Sequence, residues 1–245
     1  MNDKTKLTVY PVWDRAVRIF HWVNVLCVLG LIGIGTVILN AKLLGVSDDG
    51  KILLKTVHVY VGYLFVLNLT WRIIWGFMGS RYARWGSALP FGAEYKRQRT
   101  AMAEGQKAGK PVGFLGHNPI GRLMVAMLFL LLTTQAITGL MLAGTDVYMP
   151  PLGNSMKEWV AVDQAAVAEI KPYSKVGVDA AAYKEMRALR KPFITVHYYS
   201  FYALLAMVLL HIIAVVIAEV RERNGLISAM FSGKKVFLEK PFDVD

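Results

Sequence analysis

The chain has 245 residues, of which 55% are hydrophobic and only 18% charged, and its mean hydropathy is +0.41. These proportions exclude an ordinary water-soluble globule. The net charge of +11 would suit a nucleic-acid binder, but the sequence has neither a Gly-x-Gly-x-x-Gly turn nor a P-loop, and the placement of the charges has a topological explanation.

Gaps between charged residues mark the membrane-crossing segments in chain order. Residues 19–41, 123–145 and 192–218 carry no charge, and 56–80 carry only Arg72. A helix rising about 1.5 Å per residue needs about 20 residues to cross the hydrocarbon, so all four runs are long enough. The predicted spans are about 17–41, 53–79, 120–144 and 193–219, within a single membrane domain covering 1–245. The first run is too long for a signal-peptide core and no small-residue cleavage pattern follows it, so it is read as a retained span. Its one cysteine, Cys27, is the only one in the chain. That rules out a disulfide framework, covalent haem attachment through Cys-x-x-Cys-His and a thiolate-held iron–sulfur cluster.

Residues 1–18, the connection 81–122 and the tail 220–245 fall on one side of the membrane with 17 Lys and Arg, against 10 on the other side. By the positive-inside rule both termini are cytoplasmic. The loop 146–191 lies outside and is long enough to have structure of its own. Ser155 and Glu158 match a capping box before an apolar run to Ile170, and Asp179 can cap a second helix toward Arg190. Two short surface helices are therefore expected there, either as a solvated elaboration or as a docking platform.

Four of the five histidines lie in the spans, where an ionisable side chain is costly and points to function. His21 sits near the inner end of the first span and His58 near the outer end of the second. His197 opens the fourth span from outside. His211 follows fourteen residues later, about 21 Å along the axis and rotated by only about 40°. Topology thus pairs His58 with His197 in the outer half and His21 with His211 in the inner half.

A single histidine of this kind is as often a helix–helix hydrogen bonder as a ligand, but two facing pairs suit iron held by two axial nitrogens in an apolar bundle. The expected cofactor is non-covalent haem b, two per chain. Zinc would want four ligands per site, and each layer offers two. Gly62, one turn beyond His58, and Gly35, at the outer layer, would let a flat macrocycle approach the backbone. The alternative for such glycines is plain helix contact, which is preferred for Gly30 and Gly33. Arg72 faces the bundle at the inner layer, where it can pair with a haem propionate or else snorkel to the cytoplasmic edge. Thr133, Thr134, Gln135 and Thr138 are read as helix–helix glue. His117, beside the third span, suits proton exchange with quinone at the cytoplasmic face, with Glu219 a weaker candidate. Asn118 as N-cap and Pro119 at the first helical position form an ordinary helix start.

Several motifs carry a family resemblance. They are Val12-Trp13-Asp14-Arg15 with Arg18-Ile19-Phe20-His21-Trp22, His58 followed by Gly62, and Gly116-His117-Asn118-Pro119-Ile120-Gly121. To these are added His197 and His211 followed by Glu219 and the run from Gly225 through Gly233. In combination they resemble the bacterial cytochrome b561 superfamily, especially the b-type cytochrome subunits of membrane-bound nickel–iron hydrogenases.

The resemblance implies an all-α membrane protein: a four-transmembrane-helix bundle with non-covalent haem b and short surface helices in the long loop. It implies His21, His58, His197 and His211 as haem ligands. It also implies a bacterial inner-membrane relay between quinone and a periplasmic redox partner, either a hydrogenase or a c-type cytochrome. No catalytic residue is expected. The alternatives are a free-standing quinone oxidoreductase using a small diffusible donor, and a non-redox membrane scaffold or transporter.

Overall fold

A computed structural model describes residues 7–244. Lys4 and Lys6, counted above in the cytoplasmic charge, lie outside the described residues, as does Asp245 at the end of the expected domain.

The chain begins with strand β1 (Thr8–Pro11) and helix α1 (Arg15–Leu39), followed by α2 (Asp48–Met78). A 3-10 turn (Arg81–Ala83) then leads into the short α3 (Trp85–Ala88) and α4 (Gly92–Lys107). Next come α5 (Pro119–Asp146), α6 (Gly153–Val160) and a second 3-10 turn (Ala165–Ala168). The chain closes with α7 (Ala180–Glu222), α8 (Leu226–Ser232) and β2 (Lys234–Phe237). Helices α1, α2, α5 and α7 are long and apolar enough to cross a membrane. Their large side chains point outward, among them Leu26, Leu29, Leu67, Phe77, Leu130 and Leu209. In water such a surface would be untenable, but in hydrocarbon it costs nothing, because each helix satisfies its own backbone polar groups.

The helix starts are chemically marked. Asp14 Oδ1 accepts the Val17 amide at 2.8 Å, Asn118 Oδ1 that of Gly121 at 2.7 Å, and Asp179 Oδ1 that of Ala182 at 2.8 Å. Each carboxylate or amide oxygen satisfies one of the orphan donors of the first turn.

The outer loop departs from expectation in two ways. The expected capping box at Ser155 does not form; α6 starts at Gly153 and ends at Val160. The tight return before it fixes that start, since a Cβ on Gly153 would lie 2.2 Å from the Tyr148 carbonyl oxygen. The helix capped by Asp179 does not stop near Arg190 either. It continues through Pro192 as part of the fourth span. Proline removes one amide donor and crowds the preceding turn, yet the segment before it is anchored. Met186 is fully buried with Val160 and Ile170, and Arg190 donates to Asp146 Oδ1 at 2.6 Å. The loop therefore has its own small core, but only one separate α-helix and one 3-10 turn.

The chain divides into two compact units. Among the described residues the first comprises 7–22, 69–130 and 204–244, and the second comprises 23–68 and 131–203. The first unit contains structure that the sequence did not suggest. Strands β1 and β2 pair antiparallel, from Thr8 opposite Phe237 to Pro11 opposite Lys234, joining the two ends of the chain. A core of Val12, Trp13, Val17, Ala83, Leu115, Ala229 and Phe237 lies beneath them. In the second unit, Asp146 at the end of α5 takes both Arg190 and Lys55, which ties α2, α5 and α7 together.

Candidate functional site

The second unit contains His58, His197, Gly35 and Gly62. His58 on α2 and His197 on α7 are close enough to act on each other electrostatically. His197 Nδ1 lies 2.8 Å from Thr138 Oγ1, and that hydroxyl donates to the Thr134 carbonyl at 2.6 Å. With its proton committed, the hydroxyl accepts from Nδ1–H. This fixes the tautomer and leaves the Nε2 lone pair free to bind a metal. Gln135 Nε2 adds a hydrogen bond to the His197 carbonyl at 3.0 Å. Reading Thr138 as helix glue alone is therefore corrected: it orients an imidazole.

Each imidazole of this pair stands against a glycine. A Cβ at Gly35 would meet His58 Cε1 at 3.5 Å, and one at Gly139 would meet His197 Cε1 at 3.5 Å. Gly35 thus makes room for the imidazole itself. The sequence offered no signal for Gly139 beyond its place next to Thr138. A Cβ at Gly62 would enter open space one turn beyond His58, a cradle that a flat ligand could occupy. The Nδ1 of His58 is buried and without a hydrogen-bond partner.

The first unit contains His21, His211, Arg72 and His117. His211 on α7 is close enough to act electrostatically on His21 of α1. The Nδ1 of His21 is buried and unpartnered. The motif around His21 builds a scaffold that aims it. Trp13 is in the core, and Asp14 accepts from Trp75 Nε1 at 3.0 Å and from Ser80 Oγ at 2.7 Å. Arg18 donates to the Phe231 carbonyl, and Trp22 Nε1 donates to the Met230 carbonyl at 3.0 Å. The Gly225–Gly233 run is thus the other half of the same construction.

Arg72 does not snorkel. Its guanidinium is buried 4.7 Å from the Trp85 ring, 5.6 Å from Phe129 and 6.0 Å from Phe20, and Nη2 donates to the Ala83 carbonyl at 2.9 Å. Nη1 has no partner.

His117 also departs from expectation. It is half-buried, with Nδ1 enclosed and its ring 4.7 Å from that of Trp13. Burial first, then the charges of Lys235, Arg72, Arg122 and His211, push it down to about 3. The downward shift runs against the near-neutral proton exchange that its bare pKa suggested. The weaker candidate, Glu219, is occupied at the start of α8, where Oε2 accepts the Ile227 amide at 2.9 Å.

Among the described residues no three of His, Cys, Asp and Glu converge as a metal-holding set. Two imidazoles per site, one of each pair with a buried, unpartnered nitrogen, do fit a bis-histidine haem, and at His58 and His197 glycines leave room beside the rings.

Comparison with known proteins identifies the family. The family model described as prokaryotic cytochrome b561 matches residues 12–233. The chain is 25% identical over 238 residues to a probable Ni/Fe-hydrogenase B-type cytochrome subunit of Rhizobium leguminosarum bv. viciae, covering 94% of this chain and 90% of that one. It is 25% identical over 242 residues to the corresponding protein of Rhodobacter capsulatus, covering 96% and 84%. A probable Ni/Fe-hydrogenase 1 B-type cytochrome subunit of Escherichia coli (strain K12) is 31% identical over 152 residues, 57% of this chain and 63% of that one. No solved structure matches.

Proposed function

The chain belongs to the prokaryotic cytochrome b561 family, and from that premise we propose that it relays electrons between membrane quinone and a periplasmic redox protein, a hydrogenase in the first instance. Both termini and the connection 81–122 would face the cytoplasm of a bacterial inner membrane. The observation that carries the proposal is the division of four intramembrane histidines into two pairs, one in each compact unit.

His58 and His197 would hold one haem b, and His21 and His211 a second. When bound, haem held in this way would supply one-electron transfer. The chain's own part is to aim and insulate the ligands. Thr138 holds His197 in the ligating tautomer, Gly35, Gly62 and Gly139 leave room around the rings, and the Asp14, Arg18 and Trp22 ties fix the helix carrying His21. The folded outer loop, anchored through Asp146, is the surface assigned to the periplasmic partner.

For quinone, the first unit has an apolar groove of about 510 Å³ lined by Asp14, Arg15, Ala16, Ile19, Trp71 and Trp75. Trp71 and Trp75 are stacked with centroids 5.4 Å apart, a platform suited to a planar ring.

Purified protein tests the proposal. Dithionite is expected to produce a narrow b-type absorption band with two haems per chain. Absence of that band overturns the redox function. Co-purification of a hydrogenase from native membranes tests the partner separately.

A further inference from the structure

All the buried charged side chains among the described residues lie in the first unit. Three are cations, Arg72, Arg122 and Lys235, with 4%, 3% and 2% of their surface exposed, and one is an acid, Asp243, with 5% exposed. Removing charge from water is costly unless an opposite charge goes with it. Two of these positive charges have no buried counterion.

The three cations are neighbours: Arg72 stands 4.7 Å from the Trp85 ring, Arg122 reaches the adjoining Gly86, and Lys235 Nζ stands 6.0 Å from the ring of Trp13, which lies 4.7 Å from that of His117. Lys235 Nζ lies 3.4 Å and 3.3 Å from the carbonyls of Phe114 and Gly116, and Arg122 Nη1 donates to the Gly86 carbonyl at 3.1 Å. Carbonyl dipoles orient these groups but do not neutralise them. Asp243 is already committed: its two oxygens accept the Leu115 amide at 2.6 Å and the Gly116 amide at 2.8 Å. Asp14, Glu94, Glu219 and Glu222, whose fields reach members of the cluster, are half-buried or exposed, so water screens them. Donor capacity remains. Arg72 Nη1, Arg122 Nε and His117 Nδ1 are buried without a hydrogen-bond partner.

We infer that Arg72, Arg122, Lys235 and His117 form an anion subsite that takes the two propionate carboxylates of the haem assigned to His21 and His211. This deepens the haem reading above and rests on it. Two propionates match the unbalanced charge in number, and Arg72 supplies a free guanidinium edge to a carboxylate. His117 is a neutral polar wall of the subsite. The second unit has no buried charge among its described residues, so its haem pair would be indifferent to the propionates.

The test compares iron protoporphyrin IX with its dimethyl ester, which has the same macrocycle but no carboxylate charge. The full-length chain with His58→Ala and His197→Ala, produced without haem, is titrated with each in detergent, and the haem band is followed spectroscopically. Binding of the free acid is expected to be at least about tenfold tighter than binding of the ester. Arg72→Met and Lys235→Met should each shrink that ratio while leaving the ester's affinity unchanged. The converse chain, with His21→Ala and His211→Ala, should bind acid and ester alike. Equal binding of acid and ester by the first chain overturns the subsite alone, and it does so whether or not the methionine variants fold. Binding of neither porphyrin by either chain overturns the haem reading and the subsite together.

Discussion

In the second unit the imidazoles of His58 and His197 stand among glycines, a threonine hydroxyl and a glutamine, whereas His21 and His211 in the first share their unit with three buried cations, a buried acid and a cage of aromatic rings. One type of histidine pair is thus set in two kinds of surroundings, one fitted by shape, the other close to buried charge. Were both pairs to hold haem as proposed, charge and hydrogen bonding around each would set its potential beside the ligands themselves, and the two sites would be unlike.

The largest test of that contrast removes one pair at a time. His58→Ala or His197→Ala is expected to abolish one haem and leave the other's spectrum intact, and His21→Ala or His211→Ala to do the reverse, as read by haem stoichiometry per chain. Loss of both haems from any single substitution would show that the units do not act separately.

A smaller effect is expected at Asp146. Asp146→Asn leaves Lys55 and Arg190, both half-buried, without their shared counterion. It should destabilise the second unit by about 2 kcal/mol, the buried-pair loss reduced for partial exposure. Thermal unfolding followed at the haem of each unit would show whether the loss stays in the second.

Thr138→Val keeps the shape and removes the acceptor for His197 Nδ1–H. By the usual weight of such outer partners it should weaken haem binding at that pair by about tenfold. An unchanged affinity would return Thr138 to the role of helix glue.

The effect least visible at neutral pH is a slope with pH. His117 is held down to about 3 by burial, with Lys235, Arg72, Arg122 and His211 adding to it. The unfolded imidazole titrates near 6.5, so protons favour the unfolded chain. The first unit's stability should be full above about 6.5 and fall as pH drops from there toward 3. His117→Phe should flatten that slope, measured as unfolding midpoints at several pH values. A slope that persists in the variant would assign it to another group.

Much of this was legible because hydrocarbon is a strict solvent. Charge gaps marked four helices, and histidines inside them stood out as anomalies. Asn118 with Pro119, and Asp179, announced helix starts by cap chemistry that needs no tertiary context. What escaped depends on long-range packing. Thr8–Pro11 and Lys234–Phe237 are four residues each, too short for alternation to show, and they pair only with each other. Lys235 sits in a polar tail where lysine ordinarily means surface, and only the fold buries it. The helix capped by Asp179 was expected to end near Arg190, before the fourth span, but the anchoring of Met186 and Arg190 lets one helix run through Pro192. Thr138 looked like any polar residue in a span until its neighbour across the helix contact was known.

The pairing of β1 with β2 also sets a schedule. The first of these strands precedes all four hydrophobic helices in the chain and the second follows them, so the sheet can close only after those helices have been made. Lys235 and Asp243, which clamp the Phe114–Gly116 carbonyls and amides, arrive with that last piece. The nascent chain therefore passes through an interval in which His21 and His211 are both synthesised while the two strands are not yet paired.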